Sequence, residues 1–78
     1  MKAEIYTTAY CPFCMRAKKL LERHSIDYVE HAMESKPAEL AEVKRRYDHP
    51  TVPIVILDGD FVGGCDELMQ LEAAGKLG

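Results

Sequence analysis

The sequence predicts an α/β fold: one domain over residues 1–78, in the order βαβ-α-ββ-α, with a four-stranded mixed sheet flanked by three helices. Three observations predict it. A β-rich start at Ala3–Thr7 gives way to a helical period, with Ala17, Leu20, Leu21 and His24 at i, i+3, i+4 and i+7. Val52–Leu57 is the most β-rich stretch, and Asp58-Gly59 after it is a strong hairpin signal. Gly63-Gly64 then separates the hairpin from a last helix opening near Asp66.

Ala3 to Thr7 reads as the first strand, with Ile5 and Tyr6 as β-formers and Thr7-Thr8 opening a loop. Pro12 suits the first position of the first helix, because the N–H it lacks would be unpaired there. Cys11 then falls at the cap, and Cys14 one turn in. Asp27 to His31 reads as the second strand. Ser35 is expected to cap the second helix, with Pro37 in its first turn and Leu40, Val43 and Tyr47 as its apolar stripe. Asp48-His49-Pro50 ends it. Asp60-Phe61-Val62 supplies the fourth strand. The last helix is expected to turn Leu68, Leu71 and Ala74 inward and to stop at Gly75. The first crossover should be right-handed, which places strands one and two side by side and parallel.

Composition narrows the function classes. With 47% apolar residues the chain is globular, and a net charge of −3 provides no basic field for nucleic acid or anionic lipid. Lys44, Arg45 and Arg46 read as a solvated helix face. No signal-peptide stretch follows Met1, and no apolar run is long enough to span a bilayer. The expectation is a cytoplasmic protein with neither nucleic acid nor membrane as partner. Three cysteines fit a reducing compartment, where a close pair is more often catalytic or metal-binding than structural.

The chemistry lies in CPFC, residues 11–14. A zinc site needs four ligands, yet there is one Cys pair, and His24, His31 and His49 lack ligand spacing. Redox chemistry has a positive physical case. A free thiol, with a pKa near ~8.5, is only about 3% ionised at neutral pH. A helix N-terminus favours the thiolate through its unpaired N–H groups and a dipole worth up to ~2 kcal/mol. N–H groups of Phe13 and Cys14 and the Cys14 thiol are expected to add hydrogen bonds to Cys11. Cys14, set deeper, suits a resolving role. Arg16, Lys18 and Lys19 are read as solvated helix residues that point away from the pair. Cys65 is read as a small, half-buried residue.

With CPFC after a first strand, TVP (residues 51–53) before a second β-rich run, and GGCDEL (63–68) opening the last helix, the chain resembles the glutaredoxin family. It looks most like the short bacterial dithiol form, the glutaredoxin 3 type, over essentially its whole length. The resemblance implies a thioredoxin fold with sheet order 2-1-3-4. It implies glutathione as co-substrate, no tightly bound cofactor and no metal. Cys11 would be the nucleophile and Cys14 the resolver. Pro53 would be a cis-proline that turns the Val52 backbone toward the active site, where it pairs with glutathione as a short added strand. Thr51 would shape that loop, and Phe13 would be an apolar wall. Gly64, Cys65 and Asp66 would hold the γ-glutamyl end, with helix N–H groups on its α-carboxylate and Asp66 on its ammonium.

The chain departs from the family pattern at three positions. Thr8 stands where a lysine is frequent, which leaves Arg45, Arg46 or His49 as substitutes for the missing cation. Phe13 stands for the usual tyrosine. Apolar Ile54 suggests a different rim to the cleft. The implied activity is glutathione-dependent reduction of protein disulfides and glutathione mixed disulfides by a monomer. Disulfide-bonded or glutathionylated proteins are the partners, ribonucleotide reductase being one open candidate. Two alternatives stay open: a redoxin served by thioredoxin reductase, against which the GGCD site argues, and an iron–sulfur carrier, against which Pro12 argues.

Overall fold

β1 (Lys2–Thr7) is hydrogen-bonded on both sides, and the rest of the chain is arranged around it. The computed structural model describes residues 1–77. After β1 come α1 (Pro12–Arg23), β2 (Asp27–Ala32), α2 (Pro37–Arg46), β3 (Ile54–Leu57), β4 (Asp60–Gly63) and α3 (Cys65–Ala73). The sheet order is β2-β1-β3-β4, as the resemblance implied. β2 runs parallel to β1, with Ala3 opposite Tyr28 and Thr7 opposite Ala32. β3 pairs antiparallel on the other side, with Tyr6 opposite Ile54, and β4 pairs antiparallel to β3.

Strand alternation divides the core. Ala3, Ile5, Val55 and Leu57 join Ala17, Leu20 and Leu21 of α1 and Cys65 and Leu68 of α3 in one buried cluster. Ile54 and Ile56 are also buried but belong to the opposite sheet face. Phe61 is the register partner of Ile56, and Tyr47 at the end of α2 stacks on it with ring centroids 5.0 Å apart. α2 therefore serves that second face, where its Leu40 and Val43 are buried. β3 is apolar at every position because both of its faces are covered.

The hairpin turn is the one the dipeptide requires. Asp58 and Gly59 have φ of 50° and 85°, the paired positive values of a type I′ turn. Gly75, with φ of 72°, ends the last helix.

Four local expectations fail. Ser35 does not cap α2: the cap is Lys36, which makes no side-chain cap bond, and Pro37 alone marks the start. Val52 and Pro53 lie outside β3, because the chain bends before Ile54. Ile54 is fully buried beneath the sheet and forms no part of a cleft rim. Ala74 is exposed, since α3 ends at Ala73; Leu77, beyond the helix, closes the core instead.

One polar tie joins three elements at the C-terminal end of β1. The buried Thr7 hydroxyl donates to Glu30 Oε2 of β2 at 2.7 Å, and Lys18 Nζ of α1 meets the same oxygen at 3.0 Å. The Thr7 bond first, and the Lys18 bond second, hold the Glu30 carboxyl below its ordinary value of 4.5. Lys18 is thus anchored rather than simply solvated, which corrects the expectation for that residue.

Two outcomes follow from this packing. Leu21 is wholly buried, so Leu21→Ala should lower stability by about 2–5 kcal/mol in urea unfolding, whereas Met15→Ala, at an exposed site, should change it little. A depressed carboxyl stabilises the fold above its unfolded-state value and loses that contribution as pH falls through the folded-state value. The stability gap between the native chain and Glu30→Gln should therefore be full at neutral pH and shrink below about pH 4.5. Unfolding midpoints measured across pH 3–7 check this, and a gap independent of pH would contradict it.

Candidate active site

The site is built where β1 hands the chain to α1. Tyr10, with φ of 60°, turns the loop so that Cys11 arrives in an extended conformation at the N-cap of α1. The Cys14 backbone N–H donates to the Cys11 sulfur at 3.2 Å. A cap side chain that accepts from the third helical residue is the ordinary N-cap bond, here made to sulfur instead of oxygen. The expected second bond, from Phe13 N–H, is not formed among the described residues. A thiol proton on Cys11 has the Val52 carbonyl as acceptor at 4.0 Å.

The two cysteines differ in environment. Cys11 is partly exposed, whereas Cys14 is buried at 2% exposure. Burial foremost, and then its hydrogen bond to Cys11, push the Cys14 thiol up to about 12. Thr8 N–H and the Lys18 charge act the other way on it. At neutral pH Cys14 is thus a thiol, set beside the Cys11 sulfur that its own N–H caps.

A cleft of about 380 Å³ is lined by Phe13, His49, Thr51, Val52, Pro53, Gly64, Cys65, Asp66 and Glu67. All seven residues expected to bind glutathione lie on this one surface. The Val52–Pro53 peptide is cis. Val52 stands outside the sheet ladder, so no neighbouring strand takes its N–H and C=O. Gly63 has a φ of 130°, and a Cβ there would come within 2.6 Å of Glu67 Oε1. At Gly64 a Cβ would crowd His49 Nε2 at 3.1 Å and the Pro53 carbonyl at 3.4 Å, closing the two cleft walls together. Among Arg45, Arg46 and His49, only His49 lines the cleft; Arg46 pairs with Glu42 at 3.3 Å.

Glu67 was not singled out by sequence reasoning. Its carboxylate accepts the Gly64 N–H at 2.7 Å, the return half of a capping box whose other half glycine cannot make. The signal was present as a glutamate three residues past the cap. Cys65 is more buried than expected, at 4% exposure, and burial, followed by the Asp66 charge, raises its thiol. Its sulfur lies 3.8 Å from Met69 Sδ. Among the described residues no three His, Cys, Asp or Glu side chains gather as a metal site.

Comparison with known proteins agrees with this geometry. The family model described as glutaredoxin matches residues 3–62. A glutaredoxin of Pseudomonas aeruginosa is 51% identical over 73 residues, covering 94% of this chain and 87% of its own length. Glutaredoxin 3 of Escherichia coli is 39% identical over 74 residues, covering 95% and 89%. Among solved structures, a buckwheat glutaredoxin–glutathione complex superposes with a TM-score of 0.90 at 29% identity, over 96% of this chain and 71% of that one. The sheet order is that of their thioredoxin fold. On sequence, fold and cysteine geometry together, the chain belongs to the glutaredoxin family and is a thiol–disulfide oxidoreductase of that type.

Proposed function

We propose that this chain, acting as one domain in the cytoplasm, uses glutathione to reduce protein disulfides and glutathione mixed disulfides through Cys11 and Cys14. The observation that carries the reading is the asymmetric pair beside the cleft: a capping sulfur that accepts the Cys14 N–H at 3.2 Å, next to a buried thiol. The Cys11 thiolate attacks one sulfur of a substrate disulfide. A Cys11–substrate disulfide forms, the substrate S–S bond breaks, and the other sulfur leaves as a thiolate that takes up a proton. On a protein substrate, Cys14 then loses its proton and attacks Cys11, which releases the second substrate thiol and leaves an 11–14 disulfide. Two glutathione molecules restore the dithiol, becoming glutathione disulfide.

The nearness of Cys11 to the buried Cys14 thiol gives the order of events. An ionised Cys11 opposes ionisation of Cys14, and that opposition ends once Cys11 carries a substrate. What then still restrains Cys14 is burial, the largest cause of its raised value. Resolution is therefore favoured only after capture.

Glutathione fits the cleft by chemistry. The Val52 backbone offers an acceptor and a donor to its cysteinyl unit, as an added strand would require. Helix N–H groups at the start of α3 suit the γ-glutamyl α-carboxylate. Asp66, exposed, and Glu67, half-buried, together favour its ammonium. His49 also lines the cleft, with its Nε2 close to Gly64 at the γ-glutamyl end. That a related buckwheat protein was solved with glutathione supports the same choice.

Cys11→Ser should abolish turnover of both substrate types, measured with glutathione and glutathione reductase. Cys14→Ser should keep turnover of a glutathionylated thiol while losing reduction of a protein disulfide; equal loss of both would refute the division of labour. Asp66→Asn removes one charge at an exposed position. It should raise the KM for glutathione about threefold to fivefold with little change in kcat, the size of one screened ion pair. An unchanged KM would remove Asp66 from the binding site.

A further inference from the structure

Against the cysteine pair, sharing no lining residue with the cleft described above, lies a second cavity of about 160 Å³. Thr7, Thr8, Cys11, Cys14, Lys18 and Glu30 are on its walls. Cys14 and Lys18 are four residues apart on α1, so the lysine stem rises from the turn directly after the buried thiol. Its ammonium is held 3.0 Å from Glu30 Oε2, and Thr7 fixes that same oxygen at 2.7 Å. The lysine has three donors, and this contact uses one.

We infer that Lys18, anchored by Glu30 and Thr7, is the charge that supports Cys14 as it becomes a thiolate, and that the cavity is the route by which the Cys14 proton leaves to water. The inference rests on the proposed role of Cys14 as resolver. In that step the Cys14 S–H bond breaks and its proton passes to solvent. The thiolate attacks Cys11, the 11–14 disulfide forms, and the captured glutathione departs as a thiolate that is protonated in turn. No oxidant or reductant is needed, because one disulfide replaces another.

Other ionisable groups face this cavity: Cys11 and Tyr10 from the loop before α1, Glu30 from β2, and Glu34 from the segment after it. Glu34 and Glu30 oppose a thiolate, and Glu30 is occupied by its two donors. Lys18 is the cation on the wall and also contributes toward the ionised form of Cys14. Lys18 touches no substrate in this arrangement. Glu30 and Thr7 are positioning residues that act through it.

The test is single-turnover release of glutathione from the full chain carrying glutathione on Cys11, followed from pH 5.5 to 9. Release should occur in the native chain and be absent in Cys14→Ser. Lys18→Met should slow it about threefold to tenfold at pH 7 and displace its pH profile upward by about half a unit to one unit. Lys18→Arg should restore most of the rate. In the Cys14→Ser background, Lys18→Met should slow Cys11 attack on a glutathionylated substrate less than it slows release. A Lys18→Met profile superimposed on the native one, or equal slowing of both steps, overturns the inference alone. No release from the native chain overturns the resolving role of Cys14 and the inference with it.

Discussion

Everything at this site depends on one hydrogen bond geometry, the capping of α1 by a sulfur. A helix leaves its first N–H groups unpaired, and the residue at the cap supplies an acceptor. Here that acceptor is Cys11, which meets the Cys14 N–H at 3.2 Å. The same contact that satisfies the helix end therefore also holds in place the sulfur proposed to attack. Pro12 suits this arrangement because it removes one unpaired donor and keeps φ helical. Structure and the proposed reactivity thus share one interaction, and a serine at this position would keep the cap while removing the thiol.

The cap would be useless if α1 were not fixed against the sheet. β1 is tied to β2 on one side and β3 on the other, and its last residue, Thr7, is buried and bonded to Glu30. Three separate stretches meet at the end of that strand: residues 11–14, 49–53 and 64–67. β3 delivers the second of these by beginning only at Ile54, which leaves Val52 outside the ladder and beside Cys11. β4 delivers the third through two glycines, where side chains would collide with Glu67, His49 and Pro53. Sheet pairing thus brings the three stretches together, and local contacts such as the Cys14 N–H to Cys11 and the Gly64 N–H to Glu67 set each one.

The fold was largely legible in the sequence because its signals are local. The type I′ dipeptide, the Pro12 helix start and the β3 run each carry their own geometry, and all three are observed. The errors arose where a competing influence decides. Ser35 has the chemistry of a cap, but the chain enters α2 through Lys36, one residue later. Ile54 reads as a rim residue from the family pattern, but both faces of β3 are covered, so it is buried. Glu67 and the anchoring of Lys18 were missed for a common reason. Each depends on a partner fixed by tertiary placement: the Gly64 N–H in one case, and Glu30, twelve residues away, in the other.

The position of the cation completes the electrostatic account. Thr8 puts no charge in the loop before Cys11, and its backbone acts instead to lower the Cys14 thiol. Of the three basic residues that follow the pair, Arg16 lies 5.6 Å from the Phe13 ring and Lys18 is pinned by Glu30. Positive charge thus approaches the pair from within α1 and not from the preceding loop. Such a layout leaves Cys11 at the helix end and places the anchored cation on the cavity that Cys14 lines. In the proposed resolving role Cys14 has the greater need of it, since burial opposes its ionisation and the helix cap is already taken.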